Sequence, residues 1–587
     1  MCGIFGIFNC SDNKTDKKFI GNSKLYLNKR GPDYNDKKNI KTYRNSLLGH
    51  YRLSIIDLSS ISNQPFYSHK YGLTITYNGE IFNYIELREE LKELGYQFIT
   101  NSDTEVLLYS WHKWGHECLN RLNGMFAFCI HDSKSDFYYL IRDRYGIKPL
   151  YYAFSGTTTY FSSSIGHLHS TLDASVNINM FNGLNNRIYD YGDSQTIYKD
   201  ILSVKPGEVI KFNGQNDFNK TSFLWYDIKK VKRDTLIIND ESVDEFRELF
   251  KSSIYLRLRS DVPVANLLSG GIDSSLIAYL AGEKVKNFVF GTPDDRCSEG
   301  PVAREFARKN GLQCEFVNFS KNDDDILRVF SKTMSDQEAP IGSLSPVAQN
   351  LLYEKIKDSG YKVTLGGQGG DEVFCGYRKY LLMSLRQPDN CKSFLLNGLG
   401  FILTALQELR QFSIYYSAFR RTYANTSSFV NYLNCNKPPP FKKQVDDITT
   451  YSLPMLLRYE DRNSMGNSVE SRLPFLDHRV VEYGLGLMLS SKVYFGYGKY
   501  FLRKSFRKEL GSSLCFNRSK RGFDISNEFL TKELSYHIYD KIYKHCKSFD
   551  DMGMSIPKIK PDSFGKKLND PNYLNQVLGC YWLSRHF

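Results

Sequence analysis

Leu267-Leu268-Ser269-Gly270-Gly271-Ile272-Asp273-Ser274-Ser275 decides the reading of the larger half of this chain. The stretch ends an apolar run, Val262–Leu268, and opens a helix that reaches Tyr279. Gly270 and Gly271 let the backbone approach an anion closely. Successive N–H groups and the helix N-terminus offer positive potential to phosphate. Ser269, Ser274 and Ser275 add hydroxyl donors. Phosphate would repel Asp273 unless Mg²⁺ lay between them, so Asp273 reads as a magnesium ligand. No Gly-Lys-Ser/Thr is present, so this is not a Walker A loop.

Outward from that loop, strand patterns at Asn287–Phe290, Glu315–Asn318 and Lys362–Leu365 alternate with helical patterns at Pro301–Asn310 and Pro346–Lys357. This alternation predicts a parallel α/β sheet. The last strand runs into Gly366-Gly367-Gln368-Gly369-Gly370-Asp371-Glu372, where Asp371 is the natural second magnesium ligand. Two carboxylates at neighbouring strand ends clamp a metal–pyrophosphate complex. An amphipathic helix, Val243–Arg257, precedes the unit, and the chain reads as mainly helical after about residue 378. The dense charges of Leu456–Met465 and Val469–Asp477 read on their own as a helical salt-bridge face.

Residues 1–215 have another texture: short β-branched and aromatic runs separated by turns. Gly72–Tyr77 stands before Asn78-Gly79, followed by Phe126–His131 and Phe137–Ile141, with helical patterns at Tyr84–Leu94 and Thr104–Lys113. The spacing predicts an antiparallel, sheet-rich domain in which Asn78-Gly79 is a type I′ hairpin turn and Ser203–Asn213 is the last hairpin. Residues 216–241 read as a polar linker. Cys2 follows the initiator Met; removal of Met1 would leave a thiol and an α-amine on one residue, a nucleophile with its own base. Taken alone, Arg52 and Asp103 read as a surface ion pair.

The 587 residues suggest three or four domains, or two large ones. The hydrophobic fraction of 41% and charged fraction of 24% exclude collagen, a mostly disordered chain and a coiled-coil rod. The net charge of +13 comes from Lys and Arg scattered along the chain, which argues against a nucleic-acid partner. No apolar run reaches the ~20 residues of a membrane helix. The longest, Phe394–Leu406, is broken by Asn397, Gly398 and Gly400 and reads as a buried helix. The N-terminus lacks a signal-peptide pattern. The twelve Cys form no CxxC pair and no zinc-spaced cluster, so reduced thiols, a cytoplasmic location and no structural metal are expected.

Cys2-Gly3-Ile4 is followed in order by Arg30-Gly31-Pro32-Asp33, His50–Asp57, Tyr77–Asn83, Ser102-Asp103-Thr104-Glu105 and Arg142–Gly146. With these motifs, nearly all of 1–215 resembles the class II glutamine amidotransferase domain of the N-terminal-nucleophile hydrolases. The loop SGGIDSS resembles the SGGxDS pyrophosphate loop of ATP pyrophosphatases. Joined by the charged runs at 456–477, Lys499 and Arg518–Phe523, it resembles the synthetase domain of glutamine-dependent asparagine synthetase over about 242–540. Residues 541–587 are left as an extension without an assigned role. The fold this resemblance implies is α+β followed by α/β: a sandwich of antiparallel sheets, then a parallel-sheet, adenine nucleotide alpha hydrolase-like domain.

The resemblance also implies roles. Cys2 attacks the glutamine carboxamide and releases ammonia. Asn78 and the backbone of Gly79 form the oxyanion hole. Arg52 pairs with the glutamine α-carboxylate, with Ile56 in the same binding set, and Glu80 and Asp103 hold the α-ammonium. Leu267, Phe290 and the Gly366-Gly367 backbone join Ser269, Gly270, Gly271, Asp273 and Ser274 in binding ATP. Asp273 and Asp371 hold Mg²⁺ through pyrophosphate, and Lys499 neutralises charge during adenylation. The implied reaction uses ATP to activate a carboxylate as an acyl-adenylate, which ammonia then converts to an amide. A sealed route between the sites would keep that ammonia from being lost to water. The small-molecule partners are glutamine, ATP and the acceptor, and at family level a homodimer is implied. Aspartate is the first acceptor to consider. Gln368 stands where relatives acting on aspartate usually carry Glu, and it can neither act as a base nor attract an ammonium. A sugar uronate or a cell-wall amino acid is therefore the alternative acceptor.

Overall fold

The computed structural model describes the chain apart from residues 1, 11–12, 35–38, 44, 178–179, 181–193, 215–219, 233–235, 237, 292–299, 319–321, 387–390, 411–438, 518–529, 546–563, 566 and 586–587, and the side chains of 405–410 and 571–572. The run Arg518–Phe523 thus lies outside the described residues.

The N-terminal half stacks two six-stranded antiparallel sheets. Its strands are β1 (Gly3–Phe8), β2 (Ile40–Tyr43), β3 (Ser46–Tyr51), β4 (Phe66–Ser68), β5 (Leu73–Ile81), β6 (Gly124–Asp132), β7 (Phe137–Arg142), β8 (Tyr151–Ser155), β9 (Thr158–Ser162), β10 (Ile201–Ser203), β11 (Glu208–Asn213) and β12 (Thr221–Leu224). The first sheet runs β10-β8-β9-β1-β3-β2 and the second β12-β11-β7-β6-β5-β4. Alternate residues of β1 divide between two cores. Ile4 and Phe8 meet Cys129, Tyr138, Leu140 and Phe212 of the second sheet. Phe5 and Ile7 meet Phe19, Leu27, Ile165 and Leu168 of the outer helices. The period-2 pattern of a sheet buried on both faces thus yields a helix–sheet–sheet–helix sandwich.

Three expectations are corrected here. Asn78-Gly79 is no hairpin turn: β5 continues through it, with Asn78 opposite Ala127 and Gly79 opposite Phe126. A Cβ at Gly79 would lie 2.2 Å from the Met125 carbonyl oxygen, so the glycine serves close strand approach instead of reversal. Ser203–Asn213 is no hairpin either. β10 pairs with β8 in the first sheet and β11 with β7 in the second, so the segment crosses between sheets. β12 pairs with β11 and carries the second sheet past residue 215 to Leu224.

The C-terminal half holds a five-stranded parallel sheet, β15-β14-β13-β16-β17, formed by β13 (Val264–Leu267), β14 (Val285–Phe290), β15 (Cys314–Val317), β16 (Val363–Leu365) and β17 (Glu470–Arg472). Helices Ile272–Ala281, Gly300–Lys309 and Ser345–Asp358 fall where the alternation predicts them. β17 corrects the reading of the charged run as a helical face. Glu470, Ser471 and Arg472 are a fully buried strand beside β16, their charges met by partners that alternation along the chain does not reveal. Helix Cys391–Arg410 forms, yet Phe394, Leu395, Leu399, Phe401 and Ile402 are exposed on it, contrary to the expected buried helix. No described helix is long and apolar enough to cross a membrane.

The halves share their cores. One cluster joins Leu53, Ile55, Phe82 and Ile147 to Phe250, Ile272, Leu457 and Leu473. Another joins Phe19 and Ile165 to Phe330, Met334, Leu534, Ile538 and Trp582. The C-terminal helix Pro571–Ser584 is thus built into the contact between halves, with Trp582 6.1 Å from Tyr198 and Tyr581 5.1 Å from Phe330, centroid to centroid.

Candidate active sites

Cys2 immediately precedes β1 and is buried at one end of the sandwich. Its backbone N–H donates to Asn78 Oδ1 at 3.0 Å. That bond orients the amide, leaving Asn78 Nδ2 buried and without a hydrogen-bond partner. A buried unpaired donor is unfavourable unless a ligand fills it, and here it lies beside a nucleophile and next to Gly79. Burial pushes the Cys2 thiol up; the chain's N-terminal ammonium, the Leu53 N–H and Arg52 oppose that shift. His50, opposite Ile4 in the sheet, donates Nε2–H to Tyr77 O at 3.2 Å. Burial lowers its pKa to about 3, so it stays neutral.

Arg52 is buried, and its guanidinium donates to the carbonyls of Ser59 (2.7 Å), Ile56 (3.3 Å) and Asp57 and to Asn63 Oδ1 (2.8 Å). It staples the 56–63 loop beside Cys2. Asp103 opens helix Asp103–Trp114 and accepts from Tyr77 OH (2.9 Å) and the Ile81 N–H (3.0 Å). Arg52 and Asp103 are therefore not the surface ion pair that each suggests in isolation. Burial raises the Asp103 carboxyl; burial and then the Asp103 charge raise that of Glu80. Cys2, Asn78, Gly79, Arg52, Ile56, Glu80 and Asp103 are thereby brought to one place.

The second site is a cleft of about 810 Å³ at the C-terminal ends of β13, β14 and β16, lined by Leu267, Ser269–Ser274, Phe290, Gly366, Gly367, Gln368, Asp371 and Lys499. Such a position, above the strand ends of a parallel sheet, is where α/β folds bind ligands. Ser269 Oγ and Ser274 Oγ lie 3.0 Å apart and brace the loop. Gly270 has φ +73°, a conformation that other residues adopt only with strain. Lys499 reaches in from the start of helix Tyr500–Ser505 and pairs with Asp273 and, at 2.7 Å, with Asp371. Burial disfavours its ammonium, but the two carboxylates outweigh that and raise its pKa. Two acidic oxygens at strand ends beside a glycine-rich loop suit a hard cation shared with phosphate. Glu372, next in the chain, is buried and turned away, accepting from Tyr377 OH (2.5 Å) and Ser452 Oγ (2.8 Å).

Between the sites runs an ionic network that the sequence alone left unassigned. Arg30 Nε donates to Cys2 O at 3.3 Å, and Arg30 Nη1 and Nη2 donate to the Asp461 carboxylate at 2.8 and 3.1 Å. Lys148 Nζ lies 3.8 Å from Asp461. Arg472 Nη2 lies 3.4 Å from Glu80, and its Nε donates to Glu470 at 2.5 Å. Helix Leu453–Gly466 carries Asp461 toward Cys2 and Glu460 into the cleft wall. All of these residues but Lys148 stand in the quoted motifs, but partners some 300 to 400 positions apart leave no periodic signal.

Comparison with known proteins is consistent with this geometry. A family described as "Glutamine amidotransferase domain" matches residues 1–224, and one described as "Asparagine synthase" matches 245–561. Asparagine synthetase [glutamine-hydrolyzing] 1 of Bacillus subtilis is 30% identical over 576 residues, covering 89% of this chain and 87% of that protein. Asparagine synthetase B [glutamine-hydrolyzing] of Escherichia coli is 31% identical, covering 64% of this chain and 65% of that one. Amidase chry2 of Gibberella zeae is 26% identical, covering 89% and 88%.

Proposed function

The chain belongs to the asparagine synthase family, and from that premise we propose that it is a two-site enzyme converting aspartate to asparagine with glutamine as nitrogen donor. The coarser activity, ATP-dependent amidation with glutamine as amide donor, rests on the family itself. The observation that carries the two-site reading is the coexistence in one chain of a buried Cys2 beside the unpaired Asn78 Nδ2 and a glycine-loop cleft holding Asp273, Asp371 and Lys499; aspartate as acceptor leans on the named relatives.

In this reading the Cys2 thiolate adds to the glutamine carboxamide. Asn78 Nδ2 and the Gly79 N–H take the developing oxyanion. The amide nitrogen leaves as ammonia, and water hydrolyses the thioester to glutamate. The α-amine freed by Met1 removal serves as the base. Glu80 and Asp103 hold the substrate ammonium, and Arg52 with its loop receives the carboxylate. In the cleft, Ser269–Ser274 and Gly366-Gly367 cradle the nucleotide phosphates, with Leu267 and Phe290 against adenosine. Mg²⁺, held by Asp273 and Asp371, would neutralise the leaving pyrophosphate. Lys499 offsets charge as the acceptor carboxylate displaces pyrophosphate from the α-phosphorus to give an acyl-adenylate. Ammonia then displaces AMP and yields the amide. The two chemistries divide between the end of β12 at Leu224 and the start of helix Asp240–Arg257.

The test is mass-spectrometric detection of product from purified protein with glutamine, aspartate and Mg-ATP, with Cys2→Ala as control. Asparagine that requires Cys2 under glutamine but still forms from ammonia in the variant supports the reading. Glutamine hydrolysis with neither asparagine nor aspartate-dependent pyrophosphate release overturns aspartate as acceptor. Gln368, which lines the cleft, would then direct the search to other carboxylates.

A further inference from the structure

The proposed glutamine pocket has a charge problem within its own half. Glu80 and Asp103 are buried together, and Glu470 enters from β17 beside them. The groups facing Glu80 are Asp103 from helix Asp103–Trp114, Arg472 and Glu470 from β17, the chain's N-terminal ammonium, and the phenols of Tyr77 and Tyr84. Arg472 is the one arginine or lysine among them, and it belongs to the other half of the chain. It is fully buried. Its Nη1 is committed to the carbonyls of Arg257 (2.9 Å) and Arg259 (2.5 Å), and its Nε to Glu470. Its Nη2, facing Glu80 Oε2 at 3.4 Å, makes no hydrogen bond of its own. The Arg472 carbonyl accepts the Gly366 N–H at 2.9 Å, so the same residue anchors the start of the second glycine loop.

We propose that Arg472, supplied by the synthetase half, is a positioning residue that orients the Glu80 carboxylate to receive the α-ammonium of glutamine. This rests on the glutaminase reading above. Without Arg472 the pocket would hold three neighbouring carboxylates and lose their guanidinium counter-charge. Glu80 would then take up a proton more readily and cease to attract an ammonium. Since burial and Asp103 already raise the Glu80 carboxyl, loss of Arg472 raises it further. Ground-state binding of glutamine would weaken, with the chemistry at Cys2 less affected.

The experiment is glutamine hydrolysis by the full-length enzyme across pH, with ammonia-dependent pyrophosphate release as the measure of folding. Arg472→Gln is expected to raise the KM for glutamine about tenfold or more near neutral pH with kcat within about threefold. That KM should fall again as pH rises and Glu80 deprotonates. Arg472→Lys should restore part of the KM. Glu470→Gln removes a competing charge, so it should move the pH dependence of KM the opposite way, to lower pH; this variant decides the matter if Arg472→Gln fails to fold. A folded Arg472→Gln with an unchanged KM profile, or a Glu470→Gln profile shifted to higher pH or not at all, overturns the proposal. Absence of glutamine hydrolysis in the unsubstituted enzyme, or hydrolysis undiminished in Cys2→Ala, instead overturns the glutaminase reading beneath it.

Discussion

Asn78 shows how one side chain settles a site. Its Oδ1 is bound to the Cys2 N–H, so the amide cannot flip without losing that bond, and Nδ2 is left aimed and unpaired. A fixed donor needs no reorganisation as charge develops on a carbonyl oxygen. Asn78→Ala is expected to lower kcat for glutamine hydrolysis by about 10²–10³-fold while ammonia-dependent amidation persists; steady-state rates with each nitrogen source check this. Cys2 itself is buried, which raises its thiol. Its alkylation by iodoacetamide is therefore expected to be slower at pH 7 than that of a free cysteine and to accelerate as pH rises through the thiol range. A rate independent of pH would contradict that. The identity of Cys2, Asn78, Arg52 and Asp103 was legible in the sequence. Their burial was not, since a lone Arg or Asp in a chain is ordinarily exposed.

At the scale of elements, β5 shows why local turn chemistry was overridden. Asn-Gly favours a hairpin, yet the nine residues Leu73–Ile81 pair continuously with β6. Nine ladder positions and a fully buried core outweigh the preference of one dipeptide. Gly79→Ala should therefore act as overpacking between strands. Its Cβ would press on the Met125 carbonyl, and a loss of about 1–3 kcal/mol in unfolding free energy is expected by denaturant titration. The loop Ser269–Ser274 behaved otherwise: apolar strand, Gly270 and helix start agree at every level, and the expected strand–loop–helix form is the one observed. β17 was missed because Glu-Ser-Arg has no strand signature. It becomes a strand only because Glu80 and Glu470 receive Arg472 and β16 offers its edge.

For the whole molecule, the decisive contact is the buried pair Arg30–Asp461, which ties the Cys2 backbone to helix Leu453–Gly466. Removing one partner leaves an uncompensated buried charge, so Asp461→Asn is expected to cost about 3–5 kcal/mol and to uncouple glutamine-derived nitrogen from amide formation more than ammonia-derived nitrogen. Calorimetry and product-to-glutamate ratios measure the two effects. Burial opposes the charge of Asp461, but Arg30 and Lys148 hold its carboxyl below the ordinary range; Arg257 and Arg479 do the same for Asp477. Each contributes stability that is full above the unfolded carboxyl pKa and is lost as pH falls toward the folded value. Thermal midpoints should accordingly decline below about pH 4. A midpoint flat to pH 3 would contradict this.

Periodicity and glycine loops determined one thing from the sequence alone, an antiparallel unit followed by a parallel α/β unit; the candidate site residues in each came from the order of the motifs and the resemblance they carry. Those signals are local, written within a few turns or strands of chain. What only the tertiary structure decided is how the halves meet. Arg30 finds Asp461 and Arg472 finds Glu80 across some 400 residues, and helix Pro571–Ser584 packs into an apolar core shared by both halves. Buried charges are stable only beside their counter-charges. That pairing depends on distances in the folded chain, which no spacing along it encodes.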